Sequence, residues 1–335
     1  MRLTRLALAF GLAASALLSA PLVRAETNEV RIAQQFGIGY LPQTIVRNQT
    51  LIEKHTAALG LPAAKVTWAR LSGGAASNDA LLSGSLDYAA AGIAPVLVLW
   101  DKTRGNLDVQ AVGALDASAA FLNTSNPNVK TIKDFTEKDR IAVAAVRASI
   151  QSLWLQIAAE GVWGVGQHNK LETLTVTLPH PEATAALLSG KSEITAHFGT
   201  PPFNFIQREN PKIHRVTTSW DILGGPASVN LLYTTSKFRK ENPKTYQAVF
   251  NAFEEAFTVI NNNPKEAARI FVEEEKGFTQ ENIEKLLKDP SVKLSWAPLN
   301  TQKVADFLYR TGQIKNKPNS WKDYFFPEIH PQTGS

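Results

Sequence analysis

The sequence of 335 residues contains no cysteine. Disulfides, thiolate zinc sites and a cysteine nucleophile are therefore excluded, and so is a lipid anchor on an N-terminal cysteine. Signatures of cofactor chemistry are missing too. Gly37-Ile38-Gly39 has no third glycine at dinucleotide spacing, and there is no Walker-type Gly-Lys-Ser/Thr loop. Gly161-Val162-Trp163-Gly164-Val165-Gly166 follows a helical stretch rather than a strand, so it reads as a helix stop at Gly161 and a turn. Neither a Gly-x-Ser-x-Gly elbow nor a His-Glu-x-x-His pair occurs, and the six histidines are scattered without metal-ligand spacing. These absences point away from an enzyme, a metal site or a bound cofactor.

The first 25 residues read as a segment outside the fold. Arg2 and Arg5 precede an apolar run, Leu6 to Val23, which ends in Val23-Arg24-Ala25, a signal-peptidase type of site. A cleaved secretory signal is expected. Its three arginines leave with it, so the net charge falls from +5 to +2. That balance excludes nucleic acid or an anionic membrane as a partner recognised by charge alone. With no staples, the remaining 310 residues must rest on ordinary apolar cores, and that length suggests two domains. Export without a lipid anchor points to a free protein of the periplasm.

Strand-like and helix-like segments alternate, which predicts an α/β fold with mostly parallel sheets. Val30 to Ala33 reads as a strand, residues 44–59 as one helix, and Lys65 to Arg70 as a second strand. Ala80-Leu81-Leu82-Ser83-Gly84 recurs 106 positions later as Ala186-Leu187-Leu188-Ser189-Gly190, with Asp87 matching Glu193 and Pro95 matching Pro201. Each copy reads as strand, loop, short helix, glycine stop and strand, so two similar α/β lobes are expected. Ile141 to Val146 is a buried-type strand leading to a helix over residues 152–160, with Ser149 placed as an N-cap. Beyond Thr235 the pattern becomes amphipathic helix, over residues 243–261, 264–274, 280–288 and 301–311. Glu273-Glu274-Glu275-Lys276 within it reads as a solvated face.

Five small-residue turns fall at the C-terminal ends of strands, where open α/β sheets bind ligands. They are Gln35-Phe36-Gly37, Ser72-Gly73-Gly74, Gly92-Ile93-Ala94, Arg147-Ala148-Ser149 and His197-Phe198-Gly199. Helix N-termini behind such turns present free N–H groups suited to an anion. Gln151 follows the fourth turn, and His180, between Pro179 and Pro181, occupies another strand-to-helix loop. Gln35, Phe36, Gly37, Ser72, Gly73, Gly74, Gly92, Ile93, Arg147, Ser149, Gln151, His180, His197 and Phe198 are thus the candidate ligand-binding residues. Arg147 is the candidate partner for a sulfonate or carboxylate.

Ser72-Gly73-Gly74 through Leu86-Asp87 and Gly92-Ile93-Ala94-Pro95 open an ordered set of motifs. Thr131-Ile132-Lys133-Asp134-Phe135, Arg140-Ile141-Ala142-Val143, the Ser149 helix start, Pro181-Glu182-Ala183 and Ser236-Lys237-Phe238 through Asn242-Pro243 extend it over most of the chain. In these motifs and their order the chain resembles the periplasmic binding proteins of nitrate/sulfonate/taurine-type ABC importers. The resemblance implies a type II periplasmic-binding-protein fold: two α/β lobes joined by two crossing hinge segments, near residues 121–126 and 217–229. Residues 26–122 with 228–335 would form lobe 1, and 123–227 lobe 2. It implies capture of a small molecule by hinge closure, and delivery by a monomer to a permease and its ATPase. At Thr195-Ala196-His197-Phe198-Gly199-Thr200-Pro201-Pro202 the sequence departs from the tryptophan or acid-and-aromatic pattern frequent in taurine and sulfonate binders. An aliphatic sulfonate is the first expectation for the ligand. An aromatic or pyrimidine nutrient is an alternative, as are an enzyme of the related pyrimidine-synthesis type and a ligand-sensing partner of a receptor.

Overall fold

The computed structural model describes residues 25–335, so the expected signal segment lies outside the described residues except for Ala25. Among the described residues, ten strands form two five-stranded sheets. The first contains β1 (Glu29–Gln34), β2 (Lys65–Arg70), β3 (Tyr88–Gly92), β4 (Val109–Ala114) and β10 (Asn230–Thr235) in the order β2-β1-β3-β10-β4. The second contains β5 (Phe121–Thr124), β6 (Ile141–Val143), β7 (Thr175–Thr177), β8 (Ala196–Gly199) and β9 (His214–Thr218) in the order β7-β6-β8-β5-β9.

The two orders have one topology. β1 pairs in parallel with β2 and β3, as β6 does with β7 and β8. The fourth place in each sheet is antiparallel to both neighbours, held by β10 in one and β5 in the other. Each of these strands is the first that the chain forms after crossing from the opposite sheet. It therefore arrives running the other way, which is why a chain that crosses twice builds one antiparallel strand per sheet.

The crossings are residues 115–120 and 219–229, and they run side by side. Val229 N–H donates to the Asp116 carbonyl at 2.9 Å, and Ser219 N–H to the Ala120 carbonyl at 2.9 Å. The Trp220 indole donates to the Ala117 carbonyl at 3.0 Å. The expectation of a crossing at 121–126 meets strand β5 there instead, because Phe121-Leu122-Asn123-Thr124, buried throughout, pairs antiparallel with both β8 and β9.

Helices α1 (Leu41–Asn48), α2 (Leu51–Ala58), α3 (Gly74–Leu82) and α4 (Ile93–Thr103) accompany the first sheet. The second carries α5 (Ile150–Trp163), α6 (His180–Ser189), α7 (Phe203–Glu209) and α8 (Ser219–Leu223). The chain then adds α9 (Ser236–Glu241), α10 (Pro243–Asn262), α11 (Pro264–Glu274), α12 (Gln280–Leu287) and α13 (Thr301–Arg310). α10 buries Val249, Phe250, Phe253, Ala256, Phe257 and Ile260, the three- and four-residue spacing of one apolar face. Phe250, Phe253 and Phe257 surround Trp296. Trp296 lies so close to Gly113 of β4 that a Cβ there would stand 2.5 Å from the indole. This cover packs onto the first sheet, whose strands β3 and β10 are almost wholly buried. Among the described residues, no helix is long and apolar enough to cross a membrane.

Three local readings are corrected. The single helix over 44–59 is two, because Thr50 adopts a left-handed φ of 48° that a β-branched residue does not signal in sequence. α5 continues through Gly161 and stops at Gly164, whose φ of 96° supplies the helix-ending turn. The run 273–276 is not only a solvated face: Glu274 pairs with Arg47 at 2.7 Å and Glu275, almost fully buried, pairs with Arg70.

Candidate functional site

The C-terminal ends of the parallel strands in both sheets face one cavity. From the first sheet it receives Gln35 and Phe36 after β1, Tyr40, Ser72 and Gly74 before and in α3, Gly92 and Pro95 around the start of α4, and Asn230 of β10. From the second it receives Ala144, Ser149, Ile150 and Gln151 between β6 and α5, His180 at the start of α6, and Thr200 after β8. The free volume of the cavity is about 30 Å³.

The two halves touch on either side of this space. Ile38 N–H donates to the Pro201 carbonyl at 3.0 Å, and Phe203 meets Phe278 edge-on at 6.1 Å. Arg310 grips Glu160 through two bonds of 2.6 and 2.8 Å, and Gln313 Nε2 donates to Gln156 Oε1 at 3.0 Å. At Gly92 the halves also approach closely beside the cavity, since a Cβ there would stand 2.9 Å from the Ile150 side chain. The arrangement is a cleft with its walls together.

At its base, the Tyr40 hydroxyl donates to Asn230 Oδ1 at 2.8 Å, and Asn230 Nδ2 donates to Asp116 Oδ1 at 2.8 Å. Asp116 is buried in the first crossing. Desolvation raises its pKa to about 6, although hydrogen bonds from Asn230 and Ser118 pull the other way. Gly39 is what allows the close approach, because a Cβ would fall 2.8 Å from Asn230 Nδ2 and 2.9 Å from the Asp116 carboxyl. Beside the cavity, the Arg70 guanidinium stacks over Phe36 at 4.5 Å while paired with Glu275.

The opposite wall is imidazole and amide. His180 stacks on Phe203 with ring centroids 5.8 Å apart, and its Nδ1 lies 2.8 Å from His197 Nε2. Burial pushes the pKa of His180 down to about 4 and that of His197 well below its usual value, so both rings are neutral at neutral pH. No residue lining the cavity carries a formal charge at that pH. Its field comes from backbone: the N-termini of α3, α4, α5 and α6 all open onto it. In α5 the Ser149 hydroxyl accepts from Ser152 N–H, leaving the N–H groups of Ile150 and Gln151 without intrahelical partners.

Of the candidate residues, Gln35, Phe36, Ser72, Gly74, Gly92, Ser149, Gln151 and His180 line the cavity. Gly37, at φ 109°, shapes the turn beneath it, and Gly73 sits behind the start of α3, where an added Cβ would stand 3.7 Å from the Ala144 carbonyl. Ile93 and Phe198 are core residues, the latter against Trp154 at 5.2 Å. His197 is buried behind His180. Arg147 does not reach the cavity: from a left-handed φ of 64° its mostly exposed guanidinium pairs with Glu172 at 2.5 Å. Tyr40, Pro95, Ala144, Ile150, Thr200 and Asn230 were not foreseen. Thr200 and Ile150 directly adjoin predicted turns, whereas nothing in the sequence marks Asn230 as a neighbour of Tyr40.

Two α/β halves of one topology, cross-connected twice and closed on a cleft, define the periplasmic-binding-protein class of fold. The chain belongs to the NMT1-like family, whose family model matches residues 24–274. Solved structures agree in fold. The alkanesulfonate-binding protein SsuA of Xanthomonas axonopodis pv. citri, bound to MOPS, superposes with a TM-score of 0.69 at 18% identity over 88% of this chain and 96% of its own. The periplasmic aliphatic sulphonate-binding protein SsuA of Escherichia coli gives 0.65 at 18% identity, over 92% of this chain and 100% of its own. The periplasmic nitrate-binding protein NrtA of Synechocystis PCC 6803 gives 0.67 at 14%, over 89% and 84%. A search of curated proteins found no match.

Proposed function

We propose that this protein is an exported solute-binding component of an ABC importer, capturing a small, sulfonate-like anion between two lobes by hinge closure. The observation that carries the reading is the cavity itself, into which four helix N-termini open and to which no carboxylate is exposed. The sulfonate- and nitrate-binding proteins that share the fold support the same class of ligand.

In this reading residues 26–120 with 228–335 form lobe 1, residues 121–227 form lobe 2, and the paired crossings are the hinge. Ligand contacts drawn from both lobes stabilise the closed form, which a membrane permease with its ATPase recognises. The protein acts as a monomer in the periplasm after removal of residues 1–25. Capture without chemistry accords with a site whose imidazole bonds to a second imidazole rather than to a hydroxyl nucleophile.

Thermal unfolding with methanesulfonate, taurine, nitrate, small carboxylates and pyrimidines tests the reading. A ligand at a hundred times its Kd adds about 2.7 kcal/mol to stability. Stabilisation by sulfonate or nitrate is expected. Stabilisation by pyrimidines alone would transfer the site to the aromatic class, and no response to any anion would overturn the proposal.

A further inference from the structure

Behind the cavity wall lies a buried chain of hydrogen bonds whose polarity is fixed at its far end. It starts at the backbone carbonyl of Asn204, which only accepts, so the Asn123 atom 2.8 Å away must be the amide nitrogen. That nitrogen also donates to Gln207 Oε1 at 3.0 Å. Gln207 therefore turns its own nitrogen the other way, to Thr184 Oγ1 at 2.9 Å and to His197 Nδ1 at 2.5 Å. Asn123, Asn204, Gln207 and His197 are fully buried, so water cannot relieve a mismatch.

The polarity then passes through both rings. His197 accepts at Nδ1, so its proton is on Nε2, and it donates to His180 Nδ1 at 2.8 Å. His180 in turn carries its proton on Nε2, which faces the Gln151 amide at 3.1 Å. Burial, which holds both rings neutral, agrees with one proton on each. With the amide nitrogen of Gln151 toward His180, two donors would oppose each other. A half-turn about the last side-chain bond replaces that with N–H···O. The amide nitrogen then occupies the remaining position, which is buried, on a residue that lines the cavity, and without a partner in the protein.

We propose that Gln151 is a specificity-determining residue that offers its side-chain N–H to an acceptor atom of the ligand, held in that orientation by the chain from the Asn204 carbonyl through Asn123, Gln207, His197 and His180. This rests on the reading of the cavity as a ligand site and deepens it: a ligand needs an oxygen acceptor at this point, as a sulfonate or nitrate has. A cationic or donor-only solute would leave the amide unsatisfied and be rejected.

Long-range ¹H–¹⁵N correlation spectra of histidine-labelled, ligand-free protein at pH 7 test the chain without any ligand. Both His180 and His197 are expected to carry their proton on Nε2, and an Nδ1 proton on either would overturn the proposal. Titration of methanesulfonate and nitrate into wild type, Gln151→Met and Gln151→Glu tests the contact. Weakening of tenfold or more is expected for Gln151→Glu, which presents only acceptors, with Gln151→Met between it and wild type. Equal affinity in all three would overturn the contact. If wild type bound neither anion, the proposed ligand class would fall, while the tautomers would still decide the chain.

Discussion

At the scale of single residues, the cleft is controlled by atoms that are missing as much as by those present. Gly92 has a φ of −56°, so alanine there meets no backbone strain, yet its Cβ would stand 2.9 Å from Ile150 on the opposite wall. The clash exists only when the halves are together. Gly92→Ala is therefore expected to weaken ligand binding tenfold or more while leaving the unfolding midpoint of the ligand-free protein nearly unchanged. Calorimetric titration and chemical denaturation separate the two effects, and unaltered affinity would contradict closure at this point. Arg147 makes the opposite case. Its exposed ion pair with Glu172 is of a kind that contributes little, and it lies outside the cavity lining. Arg147→Ala is expected to leave affinity within about twofold of wild type, as exposed pairs are weakly coupled to their surroundings; a larger loss would restore it as an anion ligand.

At the scale of elements, α5 shows how local sequence builds a wall of the site. Ser149 is extended, at φ −100° and ψ 159°, and its hydroxyl accepts from Ser152 N–H. Ser149→Ala is expected to cost about 1 kcal/mol of stability, read by denaturant unfolding, because the helix start loses its cap. This cap was legible in the sequence, as were the helices beyond residue 243, since proline at the first position and an apolar stripe are both local signals. The 106-residue echo was legible for a deeper reason. Its copies became α3 with β3 and α6 with β8, which occupy equivalent places in sheets of identical order. What stayed hidden depends on contacts remote in sequence. Tyr40 and Asn230 meet across 190 positions, and Asn230 and Asp116 across 114. The place of Arg147 outside the cavity lining was hidden too, because composition shows a cation beside a helix start but not the left-handed backbone from which its side chain leaves.

At the scale of the whole molecule, burial of titratable groups in the cleft links stability to pH with opposing signs. His180, pushed down to about 4, and His197, pushed well below its usual value by burial, cannot take up the protons that their unfolded counterparts bind below pH 6.5. In that window the unfolded chain binds more protons, so these histidines remove stability as pH falls. Asp116, raised to about 6, binds a proton in the folded state before the unfolded value of 3.8 is reached, so it adds stability between pH 6 and 4. The shifts of His180 and Asp116 are each worth about 3 kcal/mol and nearly cancel. His197 is left uncompensated, and its sign prevails. The unfolding free energy is expected to fall from pH 7 to pH 5, measured by denaturant titration at constant ionic strength. Asp116→Asn removes the opposing contribution, so its stability should fall more steeply over the same range, whatever its value at pH 7. A wild-type protein that gained stability on acidification to pH 5 would mean that the imidazole pair is protonated in the fold. It would then donate from both nitrogens of a ring, and the cleft wall would present a cation in place of a neutral relay.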